Sequence, residues 1–467
     1  VLFHTADFAV FFVVVALLYG ALRGSALVAA LVAASWFFYG YIQPYYVALL
    51  LGLTLSDYAI ALLADRFKAR WHAVLLSCLV NFGTLAYFKY AGFGLDAARG
   101  ALGLLGFAVE LPRVEVLLPI GISFHVFQSF AYVMDVIHGR IAPCRSFLHF
   151  ALYVAWFPQL VAGPIERPGR LLPQLVTIDE RRAGFAARLP HAAALFAEGA
   201  IRKLAADVLA ATSDFFFDAP RAATSAEAVL GIVAFGLQIY GDFSGYTRMA
   251  QGVSHAFGVE LMENFDRPYL ARGFRDFWRR WHVSLSSWFR DYVYIPMGGG
   301  ARGFARQQLN VLATMLLSGL WHGASWTFPL WGAMHGGLVV LENATRGFWR
   351  RAPAALTVPL VWLGVFLAWV PFRAADLATT VDCYRALGHG GLSPPSLGFL
   401  FGALVLLLAD LLRVPLAPPS PQEAPAGAWI GTPRLRGALW PVAAVLVAVV
   451  AHVFWGAGEK AFIYFRF

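Results

Sequence analysis

Residues 317–326 read LSGLWHGASW and place one imidazole, His322, between tryptophans and glycines in an apolar stretch. A buried histidine must find hydrogen-bond partners or give up its charge. Kept neutral by an apolar site, it can take a proton from a reacting group. Two readings stay open on these residues alone: a satisfied core histidine, or the base at a reaction centre. Trp321 and Trp326 are placed to wall a pocket, Ser318 lies one helical turn before His322, and Gly319 and Gly323 leave room for a substrate. His335, in WGAMHGG, belongs to the next helix and is expected to line the same cavity.

Further polar groups interrupt other apolar runs. Residues 272–296, RGFRDFWRRWHVSLSSWFRDYVYIP, carry Phe274, Phe277, Trp278, Trp281, Leu285, Trp288 and Phe289 at steps of three and four. That spacing predicts an apolar-aromatic stripe on a helix, with arginines on the remaining face holding it at the headgroup level. His282 sits inside it and has two readings, a structural or gating hydrogen-bonder satisfied by nearby serines, or a group touching the reaction. Upstream, IYGDFSGYTRMAQG sets Asp242 and Tyr246 at membrane depth, where an acid lines a cavity or ties two helices. The glycine pair 241 and 245 is expected to break that helix and let Asp242 and Arg248 converge. In AWFPQLVAGPIERP, Gln159 and Glu166 flank Pro and Gly residues expected to end a span, and the breaks at Pro158 and Pro164 are expected to expose carbonyls to a pore or substrate. His125, Gln128, Tyr132 and Asp135 recur on one helix face, as expected for the lining of an interior channel.

The elements that position these groups are membrane helices. Hydrophobic residues make up 59% of the 467 and charged residues 13%, and mean hydropathy is +0.64. Apolar runs lie near 8–22, 26–42, 45–64, 73–90, 116–135, 147–162, 191–211, 226–241, 308–321, 326–341, 357–371, 395–412 and 437–456. Several approach the ~20 residues that cross a bilayer, so the fold class is an all-α polytopic membrane protein with roughly ten to twelve crossings, some broken or re-entrant. The first run reads as a retained helix rather than a cleaved signal. The net charge of +9 gathers between apolar runs, as in cytoplasmic loops and lipid-facing anchors, and no nucleic-acid-binding motif accompanies it. Cys78, Cys144 and Cys383 are scattered and suggest neither disulfides nor a metal site. The whole of 1–467 reads as one transmembrane domain. It contains an interfacial or re-entrant motif segment at 262–307, a Gly-rich, partly embedded stretch at 91–115, and a Pro/Ala-rich loop at 413–436.

DFWRRWHVSLSSWFRDYVYIPMGG followed by LLSGLWHGASWTFPLWGAMHG resembles the membrane-bound O-acyltransferase family. LVAGPIERP, QIYGDFSGYTRMAQG and NFDRPY extend the likeness over nearly the full length, most like the alginate O-acetylase branch. The resemblance implies a bacterial inner-membrane, multi-pass enzyme with a central funnel. Acyl groups supplied from the cytoplasmic side there reach an acceptor on the outer side. It implies His322 as the catalytic histidine and His282 as the second motif histidine. It further implies an exported polysaccharide as acceptor, alginate first, with peptidoglycan or cellulose as alternatives. A periplasmic or membrane-anchored SGNH-like acetyltransferase subunit is the implied partner. Relatives that D-alanylate teichoic acid work with a small protein ending in an FIY-type motif. The same motif in EKAFIYFRF makes Tyr464 a candidate acyl relay, beside the alternative of an aromatic interface anchor.

No tightly bound cofactor is expected. Acetyl-CoA or another acyl thioester is the expected donor, although no Gly-rich phosphate cradle marks a site for it. His282, His322 and His335 lack a metal-ligand spacing, and no metal is assigned. A histidine-lined proton-coupled transporter would also use intramembrane Asp and His, but it predicts a paired repeat that the sequence does not display.

Overall fold

The computed structural model describes residues 3, 5–41, 43–67, 70–107, 112 and 121–413. The loop beyond Arg413, the expected span at 437–456 and Tyr464 lie outside the described residues. In chain order the helices are α1 (Ala6–Ala21), α2 (Gly24–Gly40), α3 (Tyr45–Phe67), α4 (Arg70–Leu104), α5 (Ile122–Ile137) and α6 (Phe147–Ala155). Then come α7 (Phe157–Leu160), α8 (Pro168–Val176), α9 (Phe185–Asp218), α10 (Ser225–Ala256), α11 (Phe274–Arg280) and α12 (Val283–Phe289). The last are α13 (Phe304–His322), α14 (Thr327–Ala344), α15 (Arg346–Arg351), α16 (Ala354–Arg373), α17 (Leu377–Ala386) and α18 (Leu397–Leu411). No strand occurs among the described residues.

Their outer faces are those of a protein in lipid. α3, α4, α10 and α16 are long and apolar enough to cross a membrane, and α1, α2, α5 and α18 are shorter apolar helices. Val10, Val13, Val14 and Leu17 of α1 and Leu400, Leu404, Leu407 and Leu411 of α18 are exposed. Such leucine and valine faces have no counterpart on a water-soluble monomer. α4 runs on through residues 91–104, so the Gly-rich stretch prolongs a span. At a 1.5 Å rise it is about 52 Å long, well beyond a ~30 Å hydrocarbon core.

The chain folds as two compact units, one from 1–179 with 284–345 and the other from 180–283 with 346–467. In the first, α3, α4 and α5 pack together over a buried polar tie. There Asn81 Nδ2 donates to Asp57 Oδ1 at 2.8 Å and Ser77 joins at 3.4 Å. Phe127 of α5 lies flat on Trp288 of α12, centroids 3.8 Å apart, and α13 pairs with α14.

The second unit is built on α9 against α10. Thr224 and Glu227 form a reciprocal capping box that starts α10, satisfying two backbone donors that a helix end leaves open. The expected break in α10 does not occur; it is one helix of 32 residues. The glycines serve approach instead. A Cβ on Gly245 would lie 2.7 Å from the Gly199 carbonyl oxygen, and one on Gly199 would lie 2.5 Å from that of Gly245. Glycine at both positions lets the two backbones meet, which stabilises a straight pair rather than a kink.

Candidate active site

His322 is the last residue of α13, and the chain leaves the helix through an extended Gly323. Its ring is held edge-on between two indoles, 4.8 Å from Trp321 and 4.9 Å from Trp331. Trp321 packs in turn on Phe124 and Phe127 of α5, at 5.5 and 5.3 Å. Trp331 also contacts the fully buried His335, centroids 4.9 Å apart. Ser318 is buried one turn before His322. His322, Trp321, Ser318 and His335 all lie in the first unit, on α13 and α14.

The second wall is a correction. Trp326 is 58% exposed and rests on Phe93 of α4; Trp331 takes the inner place. Sequence reasoning passed over Trp331, although Trp331 and His335 stand four apart, one turn of a helix face. The residues around Lys89 and Tyr90 of α4 were also missed. Lys89 Nζ donates to the carbonyls of Trp321 and His322, the latter at 2.9 Å, and the Tyr90 hydroxyl donates to that of Leu320. A lysine inside an apolar run was the available signal.

Gly319 and Gly323 do not leave room for a ligand. A Cβ on Gly319 would sit 2.3 Å from the Phe328 carbonyl oxygen, and one on Gly323 would sit 1.9 Å from the Phe328 ring. Both glycines let α13 close on α14. Gly319→Ala is expected to lower the thermal stability of the detergent-solubilised protein by about 1–3 kcal/mol, the usual cost of overpacking. Gly337→Ala, on the open face of α14, should leave it unchanged. Equal melting midpoints for the two variants would remove this packing account.

His282 is built in the second unit, and the expected single helix over 272–296 is interrupted there. α11 ends at Arg280, α12 begins at Val283, and His282 has a left-handed φ of +44°. Segment 264–266 brackets it: Asp266 N–H donates to the Arg280 carbonyl and Val283 N–H to that of Asn264, both at 2.9 Å. The ring's Nδ1 lies 3.1 Å from Asn264 Oδ1, and the ring stands perpendicular to that of Phe243, centroids 4.6 Å apart. The imidazole is 1% exposed, and burial holds it well below the usual histidine range, hence neutral at pH 7. Asn264 and Phe243 are among the partners of the ring.

The remaining residues fall into polar ties. Asp242 Oδ1 lies 3.1 Å from Lys203 Nζ, joining α10 to α9. Arg248 turns to Glu198 and Glu263 at 3.3 and 3.5 Å, so Asp242 and Arg248 do not converge. Arg202, 2% exposed, reaches Glu198 and Asp410, each at 2.8 Å. Removing one member of so buried a network costs about 3–5 kcal/mol. Tyr246 is buried on α10. In the first unit Gln159 donates to Gln128 Oε1 at 3.0 Å, and Gln128 donates to the Tyr153 carbonyl at 2.7 Å. Glu166, wholly buried, is 3.5 Å from Arg170. Asp135 takes Arg140 and the Tyr292 hydroxyl, both at 2.8 Å. Gln128 and Asp135 of the polar face of α5 are thus tied to α6, α7 and the segments that flank α5 and α12. Among the described residues no three His, Cys, Asp or Glu side chains gather as a metal would need.

A family model described as MBOAT, the membrane-bound O-acyltransferase family, matches residues 116–371. The probable alginate O-acetylase of Pseudomonas syringae pv. tomato is 39% identical over 365 residues, covering 76% of this chain and 69% of that protein. The peptidoglycan O-acetyltransferase of Helicobacter pylori is 32% identical over 398 residues, 78% of this chain and 74% of that protein. The teichoic acid D-alanyltransferase of Bacillus subtilis is 29% identical over 326 residues, 61% of this chain and 79% of that protein. The match takes in both buried histidines and the helices that hold them, and the chain belongs to the membrane-bound O-acyltransferase family.

Proposed function

We propose that the chain is an O-acetyltransferase of a bacterial inner membrane, moving acetyl from a cytoplasmic acyl thioester such as acetyl-CoA toward an exported polysaccharide. The observation that carries this reading is His322, a buried imidazole fixed between Trp321 and Trp331 at a helix end. Its ring nitrogen takes the proton of an acceptor hydroxyl as the oxygen attacks the thioester carbonyl. The tetrahedral intermediate then expels thiolate, which recovers that proton from the imidazolium, leaving ester and free thiol. Two indoles in edge contact leave the ring little freedom to turn, so proton transfer starts from a fixed geometry.

Alginate is the acceptor of choice because relatives named as probable alginate O-acetylases reach 39% identity. The likeness to a peptidoglycan O-acetyltransferase supports a cell-wall glycan as the second choice. An SGNH-like periplasmic subunit would complete delivery to the polymer. Tyr464, outside the described residues, is proposed as an acyl relay on its FIY motif alone.

The test is ester-linked acetyl on alginate and on peptidoglycan, from cells that make both polymers with and without the chain. Acetyl on alginate is the expected result; acetyl confined to peptidoglycan would move the acceptor, and none on either polymer would sink the reading. Tyr464→Phe in the same assay removes one hydroxyl and keeps the aromatic area. Background acetylation with normal membrane abundance is expected of a relay, and full acetylation would make the residue an anchor.

A further inference from the structure

We infer that Lys89, with Tyr90, is a positioning residue for His322: a two-residue clamp on α4 that holds the C-terminal turn of α13. The last four carbonyls of an α-helix have no partner within it. In α13 those of Leu320, Trp321 and His322 are each met by an α4 side chain, the first by the Tyr90 hydroxyl and the other two by Lys89 Nζ. The ammonium also stands 5.8 Å over the Trp321 ring. One turn further along α4, Phe93 packs on Trp326 at 5.4 Å, so the same helix face grips the loop after His322.

Chemistry sets what this arrangement does. A cation at the negative end of a helix is stabilising, most of all where water is scarce. A lysine deep in an apolar helix is costly unless it is used, and its charge here is spent on the backbone of the motif histidine. Since α13 ends at His322 and Gly323 is extended, the ring's position depends on where this last turn stops. The clamp fixes that stop from outside the motif. Among the described residues the Lys89 ammonium meets the Trp321 and His322 carbonyls and the Trp321 ring, so it acts through His322 rather than on the substrate.

The inference rests on His322 being the base, and the experiment separates the two. Membranes from cells that acetylate the polymer, carrying the full chain, are supplied with acetyl-CoA and the acceptor polymer, and kcat and the KM for acetyl-CoA are measured. Lys89→Met is expected to lower kcat by roughly tenfold to a hundredfold, the scale of a misplaced catalytic group, with KM unchanged. Lys89→Arg, which keeps a cation and its donors, should recover most of that loss. Tyr90→Phe, which removes a single donor, covers the case in which Lys89→Met does not accumulate, and should lower kcat severalfold at normal abundance. Wild-type kcat in Lys89→Met, or in Tyr90→Phe where Lys89→Met is lost, overturns the clamp while an inactive His322→Ala still upholds the base. An active His322→Ala overturns the base, and the clamp with it. A rise in KM with kcat unchanged assigns Lys89 to donor binding and also overturns it.

Discussion

His322→Ala is expected to abolish measurable polymer acetylation, a loss of roughly 10²- to 10⁴-fold, with the protein still in the membrane at its usual level. The structure explains why loss of activity and loss of fold separate at this position. The imidazole is a filler between Trp321 and Trp331, so its removal opens a void at the end of α13. Each indole keeps its other neighbours, Trp321 those of α5 and Trp331 the His335 ring. A void of this kind costs about 2–4 kcal/mol, within the range of large-to-small core substitutions. His322→Gln occupies more of the space and hydrogen-bonds but is no base at pH 7. Membrane abundance and acetyl ester content are read together for both variants. Near-wild-type acetylation by either one would leave His322 as packing alone.

The second large effect is at His282, where activity and fold are entangled and two substitutions are needed. His282→Ala is expected to lower acetylation by about 10²-fold and to reduce abundance as well. It leaves Asn264 without its ring partner, opens a void beside Phe243, and places a residue poorly suited to positive φ at +44°. The lost hydrogen bond to a buried partner alone costs about 1–3 kcal/mol. Asparagine tolerates the left-handed region, so His282→Asn should recover much of the abundance while offering no imidazole. Acetylation that stays low in His282→Asn at restored abundance supports a part for the ring in transfer. Acetylation that returns in step with abundance would show that the histidine serves the turn between α11 and α12 and nothing more.

Much of the architecture was legible along the chain, since in a membrane apolar length alone sets where a helix is. The runs near 26–42, 45–64, 308–321 and 326–341 fall within α2, α3, α13 and α14 to a few residues. Helices α9 and α10 were placed but read too short; the polar C-terminal half of α10 is buried by packing that hydropathy does not register. α17 was missed; it is short and polar, and Asp376 caps its start.

The candidate site divides differently. His322, His282 and the residues quoted around them were visible as polar interruptions in apolar runs, since lipid makes every such residue costly. What each glycine does was not visible. A glycine in a span permits a break or a close approach equally well, and only the neighbouring backbone decides. Gly199 facing Gly245 decides it for α10, and Phe328 decides it for Gly319. The interruption at His282 was hidden for a related reason. The aromatic stripe keeps helical spacing through Trp281, and the left-handed residue is held by backbone bonds to 264–266, a segment about eighteen residues earlier that only tertiary structure brings alongside. Partner identity was invisible too. Trp331 replaces Trp326 beside His322, and Lys89 and Tyr90 reach the end of α13 from more than two hundred residues away, contacts that exist only because α4 lies along that helix end. The sequence by itself determined which residues are chemically capable and that they lie in membrane helices, because composition and spacing are local. Which of them meet, and through which carbonyls, is a property of helix packing, and the tertiary structure alone decided it.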